Sequence, residues 1–173
     1  MSFHVAAVTI DAWLAVRRAL RPRELPRTVA RAWRSLPGDG IGWIAMRACG
    51  IGRPTREIEA AGRTVALVED PRADRWLSLG LMPITAQTLG RYILCRGPVD
   101  GELREHELEH VRQWSSFGPL YLPLYFGSSA LAFVRGGRPY WDNEFEAAAR
   151  RRAAAEMAAR TPSGGPDETR PKT

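Results

Sequence analysis

The sequence of residues 100–114 is DGELREHELEHVRQW, which has the pattern of one amphipathic helix. Asp100 is a favourable N-cap residue, and Glu102 places a negative charge in the first turn, where the helix dipole stabilises it. At about 100° per residue, His106, Glu107 and His110 share one sector of the helix with its apolar residues. Those apolar residues are Leu103, Val111 and Trp114. We therefore expect the helix to point two imidazoles and a carboxylate into the core.

The opposite face of this helix is charged, which is typical of a face in contact with solvent. It carries Glu105, Glu109 and Arg112. The spacing of three residues predicts an ion pair between Glu109 and Arg112.

The His-Glu-x-x-His spacing of residues 106–110 predicts a zinc site. Two neutral imidazoles one turn apart can both reach a tetrahedral zinc ion at about 2.0 to 2.1 Å. The charge of the ion also offsets the cost of burying the carboxylate of Glu107, which would lie beside the zinc-bound water. The alternative is a pair of core histidines with ordinary hydrogen-bond partners.

A catalytic zinc usually has three protein ligands, and outside the motif His4 is the remaining histidine. A downstream helix is predicted from Glu144 to about Ala159. Its face that carries Glu146 is otherwise small or apolar, so another helix can approach closely. That face contains Ala149, Ala153 and Met157. Glu146 is therefore the predicted third ligand.

Other roles stay open for the residues around Glu146. Asn143 and Glu146 also have the spacing of a capping box, which needs no metal, and Glu144 and Asp142 are fallback ligands. Asp142 or Asn143 could also accept the spare N–H of a ligating histidine, although a turn or cap role is favoured for both.

Three short regions before the motif have local signals of their own. Helices are predicted at Thr9–Leu20 and Arg27–Ser35, the second closed by a turn at residues 37–40. A β-hairpin is predicted for Arg56–Ala60 and Arg63–Glu69, with its turn at Ala61-Gly62. Residues 84–95 predict one or two strands with a bulge at Gly90.

The predicted fold is a small α+β domain over residues 1–160, a few-stranded sheet packed on the motif helix and on the Glu146 helix. Its helical N-terminal part is residues 1–50, its sheet residues 55–96 and its second helical part residues 100–160. A helix at about Leu120–Val134 lies within the last part, and Gly136-Gly137 ends it. Residues 161–173 are rich in Pro, Gly and charge, which predicts a disordered tail.

The composition of the chain indicates which classes of binding partner to expect. The net charge is +6, but the arginines are spread along the chain without interleaved aromatics, which argues against a nucleic-acid groove. Cys49 and Cys95 predict reduced, buried thiols.

Residues 1–16 lack the basic leader of a signal peptide, so a cytoplasmic location is expected. The uncharged stretch Phe117 to Val134 is near the lower length limit for a membrane span and predicts a buried or surface-lying helix, with peripheral membrane contact as an option.

The HELEHVRQW segment at residues 106–114 resembles the active-site helix of zincin metallopeptidases, specifically their gluzincin branch. The HELEHVRQ, FGPLYLPLY and YWDNEFEAAA segments are also similar to a bacterial family of uncharacterised proteins, and the resemblance covers about Arg63 to Arg152. It implies a zinc-dependent peptidase in which a glutamate on a later helix, here Glu146, completes the metal site. It further implies that Glu107 is the general base and that a peptide substrate pairs with the strand near residues 88–94.

Two functional points remain open from the sequence. Tyr140 is the preferred donor to the oxyanion of the reaction, with Tyr121 and Tyr125 as alternatives. The alternative to an enzyme is a non-catalytic scaffold of the same fold, with a structural or decayed metal site, that docks a membrane or a protein partner.

Overall fold

Four short strands form one mixed sheet in the computed structural model, which describes residues 27–79 and 84–160, with side chains from residue 37 onward. The strands are β1 (Arg56–Ala60), β2 (Arg63–Glu69), β3 (Ala86–Leu89) and β4 (Tyr92–Cys95). Their order is β1-β2-β4-β3, and only the central β2–β4 pair is parallel. Within the described residues, β1 and β3 are therefore the two edges.

Five α-helices surround this sheet in the described part of the chain. They are α1 (Arg27–Ala48), α2 (Asp74–Leu77), α3 (Gly101–Phe117), α4 (Tyr121–Val134) and α5 (Glu144–Arg160). Short 3-10 turns at Pro71–Ala73 and Gly118–Leu120 precede α2 and α4. The predicted α+β class, with a sheet packed on the motif helix and a glutamate-bearing helix, is confirmed. The predicted helix at Thr9–Leu20 and the tail at residues 161–173 lie outside the described residues.

The sheet is buried on both faces because strand residues alternate between two helical layers. Ala66, Val68 and Leu94 face α1 and α2, where they pack with Met46 and Leu77. The alternate residues of the same strands pack against α3; they are Val65, Leu67, Ile93 and Cys95, in contact with Leu108 and Val111. The motif helix is thus fixed on the sheet by its own apolar residues. Cys49 and Cys95 are buried free thiols, as predicted.

The predicted hairpin of β1 and β2 is confirmed. Ala61 and Gly62 have φ angles of 54° and 73°, the left-handed pair that a two-residue type I′ turn requires. Gly90 was expected to be a bulge, and that prediction is wrong. It has a φ angle of 62° and lies in the turn that joins β3 to β4 as two separate antiparallel strands.

The first described helix is longer than its sequence indicates. A turn was predicted at residues 37–40, but α1 continues through Pro37 to Ala48. Tertiary contacts override the local signal: Asp39 accepts hydrogen bonds from Arg63 Nη2 at 2.5 Å and from the backbone N–H of Arg91 at 2.7 Å. These bonds fix the helix against the turns of both hairpins.

Helix α5 lies against α3 through its small residues. Ala149 and Ala153 are fully buried, and Glu146 is on the same face. This confirms the predicted close approach of the two helices. One expectation for α3 fails: Glu105 is buried rather than exposed, because Arg160 of α5 folds over it and donates a hydrogen bond of 2.7 Å to its carboxylate. The predicted Glu109–Arg112 pair is present at 3.1 Å.

Candidate metal centre

Helices α3 and α5 bring together the three predicted ligands. The Nε2 atoms of His106 and His110 are 3.1 Å apart. Glu146 Oε2 lies 3.3 Å from His106 Nε2, and Glu146 Oε1 lies 3.3 Å from His110 Nε2. Among the described residues this is the group of histidine, cysteine and acidic side chains whose donor atoms converge as metal ligands do.

The spacing of these donors suits a tetrahedral cation. Ligand atoms at about 2.0 to 2.1 Å from a tetrahedral zinc ion are about 3.3 Å from one another. The two imidazole nitrogens are 3.1 Å apart, and each lies 3.3 Å from a different oxygen of Glu146, which are distances close to that value. Glu146 Oε2 is moreover buried and makes no hydrogen bond. A buried carboxylate oxygen without a donor is costly, and a metal ion would remove that cost.

The electrostatics of the cluster favour positive charge between the three side chains. Burial would lower the pKa of His110, but its contact with Glu146 and the charge of Glu107 outweigh burial and raise this pKa to about 9. Burial would likewise raise the pKa of Glu146, but contacts with His106 and His110 hold it well below its usual range. The carboxylate is therefore ionised, and a cation is the natural partner for it.

Gln113 fixes the orientation of His110. Its Nε2 donates to the backbone carbonyl of Phe145 at 3.0 Å, so its Oε1 must face the other way. That oxygen lies 2.8 Å from His110 Nδ1, which consequently carries a proton and donates it to Gln113. Nε2, the atom that faces Glu146 and His106, is then the nitrogen that a metal ion would bind, in exchange for the proton that this nitrogen carries in the imidazolium.

The favoured turn or cap role of Asp142 and Asn143 is confirmed, and the alternative, that one of them accepts the spare histidine N–H, is wrong. Asp142 accepts the backbone N–H of Arg138 at 2.7 Å, and Asn143 accepts that of Phe145 at 2.8 Å. Both residues therefore stabilise the turn and the start of α5. Sequence reasoning missed Gln113 in this role, although its position three residues after His110 on the same helix could have indicated it.

The capping-box alternative for Glu146 is half right. Asn143 caps α5 through its side-chain oxygen, but Glu146 accepts a hydrogen bond of 2.8 Å from Tyr125 and lies against the two histidines. The fallback ligands Glu144 and Asp142 line a different cavity, of about 220 Å³. The carboxylate beside the histidines is that of Glu146.

Glu107 is buried beside the cluster and is held by the sheet. Its Oε2 accepts a hydrogen bond of 2.6 Å from the hydroxyl of Thr88, on strand β3. Together with His106 it lines two cavities that share part of their walls, of about 170 and 560 Å³. Glu107 is therefore accessible to a small molecule that enters from either side. The sequence predicts only a strand at Thr88, because a contact between a strand and a helix leaves no local signal.

The three tyrosines have different positions. Tyr121 is buried, with its hydroxyl 3.2 Å from His110 Nδ1, and Tyr125 donates to Glu146. Tyr140 lines both cavities beside His106 and Glu107. Burial, followed by the charge of Glu146, raises the pKa of Tyr140 above its usual value, so its hydroxyl stays protonated. Of the three, Tyr140 is the donor that faces the shared cavity space.

The described residues thus place two imidazoles, a carboxylate ligand and a second buried carboxylate around one point, with a phenol at the cavity wall. This arrangement could hold a divalent cation with an acid–base group next to it. No protein-family model, curated protein or solved structure matches this chain, so its function is inferred from the geometry of this centre.

Proposed function

We propose that this protein is a zinc-dependent hydrolase, a small metallopeptidase of the zincin type. His106, His110 and Glu146 are the zinc ligands, and Glu107 is the general base. The observation that supports the proposal most directly is the convergence of the three side chains: the two imidazole Nε2 atoms are 3.1 Å apart, and each lies 3.3 Å from an oxygen of Glu146, distances close to the ligand separation at a tetrahedral zinc.

Bound zinc supplies a Lewis acid that activates water and polarises a scissile carbonyl. The other steps belong to side chains of this chain. Glu107, held by Thr88, accepts a proton from the attacking water and later delivers it to the leaving amine. Tyr140 stays protonated and donates to the developing oxyanion. Gln113 keeps His110 Nε2 directed at the centre.

The position of β3 supports a peptide as the substrate. This strand is an edge of the sheet within the described residues, and all four of its residues line the smaller cavity. The Thr88 carbonyl already accepts from Trp114 Nε1 at 3.3 Å. That contact covers the edge at Thr88, but residues alternate along an antiparallel ladder, so the backbone of Ala86 faces the same edge. An extended peptide would pair there, next to Glu107.

Metal analysis of untagged protein tests the proposal first. We expect about one zinc per chain in the wild type, because the cluster has one set of two histidines and one carboxylate. His106→Ala should lose the metal. Zinc retained by Glu146→Ala but lost by His106→Ala would assign the third ligand position to another residue.

Activity on a peptide mixture tests the role of Glu107. Glu107→Gln should keep zinc and lose turnover by roughly 10²- to 10⁴-fold, since it removes the general base without removing a ligand. The matched control is Glu109→Gln on the partly exposed face of α3, which should retain both. Unchanged turnover in Glu107→Gln would rule out the proposed mechanism.

A second candidate function is that of a non-catalytic scaffold that docks on an anionic lipid surface, and the exposed face of α4 favours it. Phe126, Phe133 and Val134 are 64, 68 and 80% exposed on a helix without a charged residue. By length and composition alone, the helical stretch Gly101–Val134 is apolar enough to cross a membrane. A soluble surface helix is normally polar on its outer face. The net charge of +6 suits acidic headgroups.

Sedimentation with vesicles of anionic and of neutral phospholipids tests the lipid proposal. The wild type should bind the anionic vesicles, and the double variant Phe126→Ser/Phe133→Ser should lose that binding. Leu79→Ser removes an equally exposed apolar residue outside α4 and should change nothing. Equal sedimentation of the wild type and the double variant would contradict the proposal.

A further inference from the structure

Arg150 lies one helical turn after Glu146 on α5 and lines the larger cavity together with His106, Glu107 and Tyr140. Its Nη2 donates to the backbone carbonyl of Trp141, and its guanidinium carbon is 5.3 Å from the centre of the Trp141 ring. These two contacts hold the guanidinium in place at the cavity wall. The proposed hydrolytic mechanism does not use this residue.

The guanidinium of Arg150 is only partly satisfied. Its Nη1 is buried and has no hydrogen-bond partner. Nine other described arginines form ion pairs with a carboxylate; they are Arg56, Arg63, Arg72, Arg91, Arg96, Arg104, Arg112, Arg152 and Arg160. Arg150 has no such partner among the described side chains. A buried donor left without an acceptor is costly, so an acceptor is expected from outside the described fold.

The other residues that line the cavity indicate which kind of ligand would accept a hydrogen bond from Arg150. Ile84, Leu103 and Trp141 make much of it apolar, and neither of the two acidic residues at its lining, Glu102 and Glu107, forms an ion pair with Arg150. A negative charge that enters this cavity is attracted to the guanidinium of Arg150 at its wall, where partial desolvation strengthens a charge-assisted hydrogen bond. The cavity volume of about 560 Å³ accommodates a few amino-acid residues.

We propose that Arg150 is a specificity residue that binds a carboxylate of the substrate, so that the substrates of this centre are acidic peptides. The carboxylate is either the C-terminal group of the peptide or an Asp or Glu side chain, since both present the same chemistry to the guanidinium. The inference rests on the proposed peptidase function, which makes the substrate a peptide. Arg150 binds this substrate and takes no part in the cleavage of the bond.

Two pairs of short peptides, each pair differing by one carboxylate, test this inference by calorimetry on the full chain. The first pair is acetyl-trialanine with a free C-terminus and the same peptide as its amide. The second is acetyl-Ala-Glu-Ala-amide and its Gln counterpart. Binding is measured with zinc-loaded Glu107→Gln protein, which does not cleave the peptide, and again after chelation, where no metal can attract the carboxylate.

The wild-type Arg150 protein should bind at least one carboxylate peptide more tightly than its neutral partner in both metal states. Arg150→Gln should weaken that binding by about ten- to a hundredfold, the usual effect of losing one hydrogen bond to a charged group, and should leave the neutral peptides unaffected. Arg151→Gln, at the exposed neighbouring position of α5, is the matched control and should behave as the parent protein. The peptide pair that discriminates identifies the source of the carboxylate.

Thermal unfolding of each variant establishes that it is folded, and Arg150→Lys, which keeps the charge, should retain part of the discrimination. Equal binding of acidic and neutral peptides, or unchanged binding in Arg150→Gln, would overturn the inference. Failure of the proposed peptidase function would give a different result. In that case the protein lacks zinc or turnover, but binding of the acidic peptide to the chelated protein still depends on Arg150.

Discussion

At the scale of single residues, the centre depends on which nitrogen of each imidazole carries a proton. His110 has its Nδ1 in contact with Gln113 and its Nε2 in contact with Glu146. Gln113 cannot rotate its amide without breaking its bond to Phe145. One amide thus joins α3 to α5 and also fixes which nitrogen of His110 faces the proposed metal position.

Gln113→Leu should weaken zinc binding by about 10- to 100-fold while leaving all three ligands in place, because the His110 ring loses the acceptor that fixes it. A competition titration with a chromophoric chelator measures the effect. Ser116→Ala, one turn further along the same helix, should bind zinc as the wild type does. If Gln113→Leu also bound zinc normally, the orientation of His110 would have to come from Tyr121 instead.

The residues of the centre differ in how well their roles can be predicted from the sequence. His106, Glu107 and His110 are predictable because a motif and a helical face coincide. Glu146 is predictable because its face is otherwise made of small residues. Gln113 and Thr88 are not, since a glutamine or threonine gains its role only from the element packed against it. The same holds for Arg150, which the printed sequence does not distinguish from its two arginine neighbours.

At the scale of elements, local signals succeed where the contacts are local. The turn at Ala61-Gly62 determines its hairpin by itself, and the structure agrees with the prediction. The turn signal at residues 37–40 fails because long-range contacts decide the outcome. A side chain on Gly38 would come within 2.6 Å of Trp114 and 2.7 Å of Gly90. Gly38 therefore serves close packing of α1 on the motif helix rather than a turn.

Two glycines of α1 give opposite predictions for the free energy of unfolding. Gly38→Ala should destabilise the protein by about 1–3 kcal/mol, because the new methyl group has no space against Trp114. Gly40→Ala meets nothing within 4 Å and should stabilise it by about 0.5–1 kcal/mol through helix propensity. Urea unfolding of the two variants measures both values. Destabilisation of similar size in both variants would indicate that residues 37–40 form a turn after all.

At the scale of the whole molecule, the centre joins separate layers of the fold. The histidines belong to α3, which packs on the sheet, while Glu146 belongs to α5, which packs on α3 from the other side. Glu107 is bound in addition to edge strand β3. A metal ion at the three ligands would therefore connect the two helices directly, and its binding free energy would add to the stability of the folded chain.

Zinc should consequently raise the melting temperature of the wild type. At a free zinc concentration 100 times its Kd, binding to the folded state alone contributes about 2.7 kcal/mol, which for a chain of this size corresponds to about 5–10 °C. Differential scanning calorimetry with buffered zinc, and after chelation, measures the shift. His110→Ala should be insensitive to zinc, whereas Glu109→Gln should respond as the wild type does, since Glu109 lies on the other face of α3 in its pair with Arg112. A shift of equal size in His110→Ala would mean that zinc stabilises the fold from somewhere other than this centre.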